Sequence, residues 1–99
     1  MAEWIYFIHP PRSNFAETMT EEESAVWEEH FERYLRLLEE GTLILAGPTL
    51  GSINTGIFIF EAVDEGAARK VMEDDPVIAG GYADGELRQF RVSIMRGRD

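Results

Sequence analysis

The stretch from Thr20 to Pro48 constrains the fold of this 99-residue chain more than any other segment. Thr20 can cap a helix, and Glu23 stands three residues later, as a capping box requires. Apolar side chains then recur at three- and four-residue spacings and predict one apolar stripe along a long helix: Val26, Trp27, Phe31, Tyr34, Leu35 and Leu38. Gly41 suits the helix end, and Thr42 to Ala46 reads as a short apolar strand.

The rest of the chain predicts three more strands and a second helix. Trp4 to His9 and Ile57 to Ala62 are runs of aromatic and branched residues, typical of strands buried on both faces. Asp64 can cap the second helix, which should close at Asp74-Asp75-Pro76 because proline disfavours a helical residue before it. Residues 77–84 read as a short irregular or helical segment, and Glu86 to Met95 alternates as a half-buried strand does.

The resulting order, β-α-β-β-α-β, predicts an α+β fold of the ferredoxin-like type. We expect a four-stranded antiparallel sheet with both helices on one face, built as a single domain over residues 1–99. Two helices cover only one face, yet the first and third strands are apolar on both. An uncovered apolar sheet face usually marks a partner. The simplest partner is a second copy of the chain, so we predict a homodimer through the open sheet face.

Composition excludes several classes of function. The formal net charge is -10, which disfavours binding to nucleic-acid phosphates. No apolar run approaches the length of a membrane span, and the N-terminus lacks the basic flank of a secretory signal, so we expect a cytoplasmic protein with no membrane partner. The chain has no cysteine, which removes disulfides, thiol nucleophiles and thiolate metal sites. Two histidines without close ligand spacing give little support for a metal, and no cofactor motif is present.

His30 is the polar residue at the edge of the helical stripe, and it should face inward. It could be a helix-edge histidine bonded to backbone or water, or a general base in a partly desolvated pocket. A base of this kind needs a carboxylate to orient its ring, and Asp74 or Asp75 at the end of the second helix could supply one. Both aspartates could equally be ordinary polar residues at a helix exit.

Other residues could hold a ligand next to His30. Trp27, Tyr34 and Phe7 would form apolar walls, while the loop from Pro48 to Asn54 could offer backbone N–H groups and the Ser52 hydroxyl. This loop could also be a plain hairpin connection. Arg12 could bind an anionic group of a substrate or be a surface arginine, and His9 could join the site or lie at the dimer face.

The ordered set of motifs resembles the YciI-like (YCII-related) family over nearly the whole chain. It is carried by four stretches: His30 followed by Tyr34-Leu35, Leu38, Gly41, Leu43 and Ala46-Gly47-Pro48; Ile57-Phe58-Ile59-Phe60-Glu61-Ala62; Asp74-Asp75-Pro76-Val77-Ile78-Ala79-Gly80; and Glu86-Leu87 with Gln89-Phe90-Arg91-Val92. The resemblance implies a ferredoxin-like fold that dimerises as dimeric α+β barrels do. It also implies a His/Asp active-site pair, in which His30 and Asp75 match the catalytic residues. Relatives include dechlorinases of hydroxylated aromatics.

Two functions follow as hypotheses. The first is a small cofactor-independent enzyme, of lyase or dehalogenase type, in which His30 and Asp75 perform acid-base chemistry on an aromatic or carbonyl-bearing molecule. Arg12, Trp27, Tyr34, Pro48 and Ser52 would contact that substrate. The alternative is a non-catalytic, dimeric module that binds or senses a small ligand, which the lack of a nucleophile, metal set or cofactor motif favours.

Overall fold

The computed structural model of the chain describes residues 1–98 and has eight helices and strands. They are β1 (Ala2–His9), α1 (Phe15–Thr18), α2 (Glu21–Glu39), β2 (Leu43–Pro48), β3 (Gly56–Ala62), α3 (Glu65–Glu73), α4 (Pro76–Ala79) and β4 (Asp84–Phe90). The strands form one antiparallel sheet in the order β2-β3-β1-β4. This is the predicted ferredoxin-like α+β arrangement, with α1 and α4 as additional short helices.

Local capping fixes both long helices where the sequence predicts. The Thr20 side chain accepts a hydrogen bond from the Glu23 N–H at 3.1 Å, and the Glu23 carboxylate accepts from the Thr20 N–H at 2.8 Å. Asp64 likewise caps α3 through the Ala67 N–H. After α2, Gly41 adopts a positive φ of 86°, which a residue without a Cβ tolerates. These interactions span a few residues, so the sequence alone reveals them.

Alternation along β1 separates the two faces of the sheet. Trp4, Tyr6 and Ile8 lie in the main core with side chains from α2 and α3, such as Tyr34 and Met72. The opposite face, which we call the open face, carries a second apolar set: Ile5, Phe7, Leu45, Ile57 and Ile59. Within residues 1–98 no helix packs on the open face. The predicted two-sided apolar character of β1 and β3 is therefore present.

The last strand differs from the prediction of Glu86 to Met95. It begins earlier, at Asp84, and ends at Phe90, which pairs with Glu3 near the start of β1. Only Ala2 of β1 lies beyond the Glu3–Phe90 pair, and the Val92 N–H donates instead to the Glu3 carboxylate at 2.7 Å. The apolar alternation beyond residue 90 was therefore misleading, because the ladder stops within one residue of the start of β1.

The apolar residues of α2 also divide differently from the prediction. Tyr34 and His30 are buried against the sheet, whereas Phe31, Leu35 and Leu38 are 60%, 52% and 52% exposed. The single predicted stripe is thus two adjacent stripes, and only one of them anchors the helix to the core. The second faces β2, which runs two residues further than predicted and includes Pro48.

Candidate functional site

His30 and Asp75 form a buried pair between α2 and the start of α4. The His30 Nδ1 lies 2.8 Å from Asp75 Oδ1, and the two side chains are 9% and 0% exposed. Because an ionised carboxylate only accepts, Nδ1 carries a hydrogen, and in the neutral form of the ring Nε2 holds the free lone pair. Nε2 has no hydrogen-bond partner within residues 1–98. The pair therefore has the geometry of an oriented base.

Asp75 is held by several donors besides His30. It is the N-cap of α4, where Oδ1 accepts from the Val77 N–H at 3.2 Å. Its other oxygen, Oδ2, accepts a 2.7 Å hydrogen bond from the Tyr6 hydroxyl. Burial alone would raise the pKa of Asp75, but the hydrogen bonds from His30, Tyr6 and Val77 outweigh it and hold that pKa below its usual value. The carboxylate is therefore ionised at neutral pH.

Arg33 lies behind the same carboxylate. Its Nη1 is 3.9 Å from Asp75 Oδ2, and its Nη2 donates to the Val71 carbonyl at 2.7 Å. Nη1 is buried and makes no hydrogen bond within residues 1–98. The guanidinium thus places a positive charge near Asp75, on an arginine that has little access to solvent.

Aromatic rings surround the imidazole. The Tyr34 ring centre lies 4.0 Å from that of His30, and the Trp27 ring lies 6.0 Å away on the other side. Phe15 of α1 packs on Trp27 at 4.6 Å. Burial raises the pKa of both Tyr34 and Tyr6, so these hydroxyls stay protonated as hydrogen-bond donors. The histidine ring is therefore confined among apolar surfaces with one edge open.

That open edge faces a cavity of about 610 Å³. The cavity lies between α2, α1 and β2, and its walls include Trp27, Tyr34, Leu43 and Pro48. His30 contributes to the lining, whereas the fully buried Asp75 does not. A volume of this size is in the range of small-molecule sites in proteins. A bound molecule would meet the histidine and not the aspartate.

The structure brings together only part of the predicted substrate-binding set. Trp27, Tyr34 and Pro48 line the cavity, and so does Asn54 from the predicted loop. Ser52 is exposed and outside the lining. Its contribution is structural, since its carbonyl accepts from the Asn14 N–H at 2.7 Å.

Arg12 also lies outside the cavity lining. Its guanidinium makes a two-point hydrogen bond to the Glu23 carboxylate, at 2.9 and 2.7 Å, and its Nε donates to Thr18 Oγ1. It also sits 5.0 Å from the centre of the Phe15 ring. Arg12 therefore ties the loop after β1 to the first turn of α2, a contact that sequence spacing did not predict.

Phe7 and His9 lie on the open face of the sheet, on the side away from the cavity. The expectation that Phe7 forms a wall of the site is wrong, because its neighbours in β1, Tyr6 and Ile8, take the helix side. His9 is exposed and contacts Glu86 Oε1 at 2.9 Å. Both residues belong to the surface proposed below for dimer formation.

The sequence reasoning missed two residues of the site, Tyr6 and Arg33. Tyr6 reads as one aromatic residue among several in an apolar strand, although a buried tyrosine hydroxyl generally needs a partner. That requirement was the one available signal. Nothing in the sequence indicated Arg33. It follows His30 by three residues and cannot be distinguished there from the other charged residues of the helix surface.

Two further features limit the kinds of site present. No group of three or more histidine, aspartate or glutamate side chains is arranged to hold a metal ion in the part of the chain that the structure describes. Over the same residues, no helix is both long and apolar enough to span a bilayer.

The fold and the buried pair define a small α+β domain with a histidine at the base of an apolar cavity. The sequence profile of the YCII-related domain matches residues 5–91, and the chain belongs to that family. The fold is similar to that of 5-chloro-2-hydroxyhydroquinone dehydrochlorinase (TftG) from Burkholderia phenoliruptrix AC1100, solved in complex with 2,5-dihydroxybenzoquinone. The TM-score is 0.59 at 20% identity, over 92% of this chain and 94% of that one.

At 20% identity the likeness concerns the fold. The comparison with curated proteins gives no match.

Proposed function

We propose that this protein is a small enzyme in which His30, oriented by Asp75, acts as a general acid-base group on a small organic molecule. The observation that carries the proposal is the 2.8 Å contact of His30 Nδ1 with a fully buried aspartate, while the opposite edge of the ring faces a 610 Å³ cavity. General bases need this combination of a fixed tautomer and an accessible lone pair.

Each group has a definite chemical task. Nε2 of His30 removes a proton from an O–H or an acidic C–H of the bound molecule. Asp75 then stabilises the imidazolium that forms, without contacting the substrate. The Tyr6 hydroxyl and the Val77 N–H keep Asp75 ionised and fix its orientation. The proton held on Nε2 can return to a leaving group or to solvent.

The activity named for TftG suggests a reaction class to test, loss of HCl from a hydroxylated chloroarene. In such a reaction the hydroxyarene first isomerises to its keto form, in which one hydroxyl proton has moved to the carbon that bears chlorine. The base then removes a second hydroxyl proton, the O–H electrons form a C=O bond, the adjacent ring double bond shifts, and chloride leaves with the electron pair of the C–Cl bond. The reaction needs no external oxidant or metal. The ring nitrogen of His30 and the surrounding apolar walls are sufficient for this proton transfer.

The test is chloride release from 5-chloro-2-hydroxyhydroquinone, the compound in the TftG name. We expect turnover by the native protein, with His30→Ala and Asp75→Asn each lowering kcat by about 10² to 10⁴. Asp74→Asn is the matched control, because Asp74 is the preceding aspartate and pairs with Lys70 on the surface at 3.3 Å. Full turnover by His30→Ala would overturn the mechanism.

A ligand-binding module without turnover is the second candidate. The apolar character of the lining favours it, because His30 is accompanied by few polar side chains there. Such a module would show thermal stabilisation by 2,5-dihydroxybenzoquinone, while chloride release from the chlorinated compound would be absent in the native protein and the His30→Ala variant alike.

We also propose that the protein acts as a homodimer formed through the open face. Ile5 pairs with Ile59 and Phe7 with Ile57 across the two central strands, giving a continuous apolar centre. Charged contacts flank this centre, including His9 with Glu86 at 2.9 Å. An apolar patch with a polar rim is the usual composition of a protein interface. Two such faces would bury each other.

A further inference from the structure

The cavity in front of His30 continues along α2 as an apolar groove. One side of the groove is the second helical stripe, Phe31, Leu35 and Leu38, and the other is the segment 43–45 of β2. Phe31, Leu35 and Leu38 are 60%, 52% and 52% exposed, so large apolar side chains border the groove on the helix side. A contiguous exposed apolar surface joined to a cavity is characteristic of a binding site.

The lining offers two polar side-chain nitrogens that make no hydrogen bond within residues 1–98, His30 Nε2 and Trp27 Nε1. Both polar atoms of the Asn54 side chain already form hydrogen bonds, because Oδ1 accepts from the Ala16 N–H and Nδ2 donates to the Thr49 and Gly51 carbonyls. The Tyr34 hydroxyl faces that of Tyr6 at 3.5 Å. A ligand can therefore form side-chain hydrogen bonds only at the histidine end of the cavity, with His30 and with the neighbouring Trp27.

The lining also lacks a positive charge. No lysine or arginine is among the lining residues, and the nearby Arg12 is engaged by the Glu23 carboxylate. The chain as a whole has a net charge of -10. An anionic ligand would enter an apolar site with no counter-ion, at a large desolvation cost. The site therefore suits an uncharged molecule.

The volume leaves room for a molecule larger than a single ring. A cavity of about 150 Å³ is sufficient for benzene. The cavity here, about 610 Å³, is roughly four times larger. A single substituted ring at His30 would leave the groove beside Leu38 filled by water against apolar side chains.

We infer that the ligand is an uncharged molecule with one acidic hydroxyl or C–H group at His30 and an extended apolar body lying along Phe31, Leu35 and Leu38. This inference rests on the proposed function for the role of His30. It specifies the substrate class more narrowly, as a neutral hydroxyarene or enol with an alkyl or second-ring extension.

The test is calorimetric binding of para-ethylphenol, para-butylphenol and para-hexylphenol to the native protein. We expect affinity to rise about two- to fourfold per methylene, since each added group is buried in the groove. The charged analogue para-hexylbenzoate should bind at least about tenfold more weakly than the phenol. Affinity independent of chain length, or equal binding of the carboxylate, would overturn the inference.

Two matched variants locate the effect. Leu38→Glu should remove the gain from longer chains, whereas Leu50→Glu should not, because Leu50 is 88% exposed and outside the cavity. The same gain in affinity with chain length in both variants would overturn the inference. A change of oligomeric state in Leu38→Glu would also overturn it, because the groove would then be a contact between two copies of the chain. If His30→Ala retained turnover while ligand affinity still rose with chain length, the proposed acid-base mechanism would be wrong and the inference about the ligand would stand.

Discussion

The Tyr6 hydroxyl donates a 2.7 Å hydrogen bond to Oδ2 of Asp75, although the two residues are 69 positions apart in the chain. Tyr6 lies in the middle of β1 and is completely buried, as is Asp75. The bond joins the centre of the sheet to the helix layer beneath His30. The sheet therefore positions the aspartate, and the aspartate orients the histidine. Of Tyr6, Asp75 and His30, only the histidine lines the cavity.

Replacing Tyr6 with phenylalanine should destabilise the protein and the pair together. The change leaves a buried carboxylate oxygen with one donor fewer, which typically costs about 1–3 kcal/mol in the free energy of unfolding. Urea unfolding of Tyr6→Phe, Asp75→Asn and the double variant measures the coupling, which should be about 0.5–3 kcal/mol. Additive effects of the two changes would show that the bond does not hold Asp75.

The stability contributed by Asp75 should depend on pH. Its pKa is lower in the folded protein than the ordinary value of 3.8, so its contribution is present above about pH 4 and is lost as the pH falls through the folded value. The difference in free energy of unfolding between the native protein and Asp75→Asn should shrink as the pH falls below the ordinary pKa of 3.8. Urea titrations at neutral pH and at a series of pH values below about 4 measure it.

Asp74→Asn is the control for this pH dependence. Asp74 is exposed and pairs with Lys70 at 3.3 Å, so its substitution should change the free energy of unfolding by no more than about 0.5 kcal/mol. A difference for Asp75→Asn that stays constant, or grows, as the pH falls below about 4 would contradict the depressed pKa.

Arg12→Ala should lower stability without changing substrate binding. The guanidinium hydrogen bond lowers the pKa of Glu23 to about 2, and the pair ties the loop after β1 to the α2 capping box. Losing it should lower the midpoint of thermal unfolding, whereas kcat and KM for the chlorinated substrate should be unchanged. A rise in KM without a change in kcat would contradict this expectation and support the sequence-based prediction that Arg12 binds the substrate.

Charge placed on the open face should prevent dimer formation. Phe7 lies on that face, opposite Ile57 and only partly buried, and Phe7→Glu would put an unpaired carboxylate in the interface. We expect the native protein to be a dimer at micromolar concentration and the variant to be a monomer, by light scattering coupled to size exclusion. Val63→Glu, at a residue that is 70% exposed outside the strands, should remain dimeric. A native monomer would reject the interface.

Prediction from the sequence worked best where the interactions are short in range. The Thr20 capping box and the Asp64 cap each close within three residues, and both helices begin where these residues predict. Prediction worked less well at the end of β4, since Glu3 of a distant strand decides where the ladder stops. It also failed for Phe7, because an unbroken apolar run does not reveal which alternate set faces the helices.

The sequence by itself determined the order of helices and strands, the helix starts, and two apolar sheet faces, because capping and periodicity act within a turn or a strand. It also supplied the candidate pair, although the choice of Asp75 over Asp74 rested on family resemblance. Only the tertiary structure decided that Asp75 is held by Tyr6, that Arg12 belongs to Glu23, and that half of the α2 apolar surface borders a groove. These contacts join residues far apart in the chain, and a register shift of one residue would turn each strand side chain to the other face.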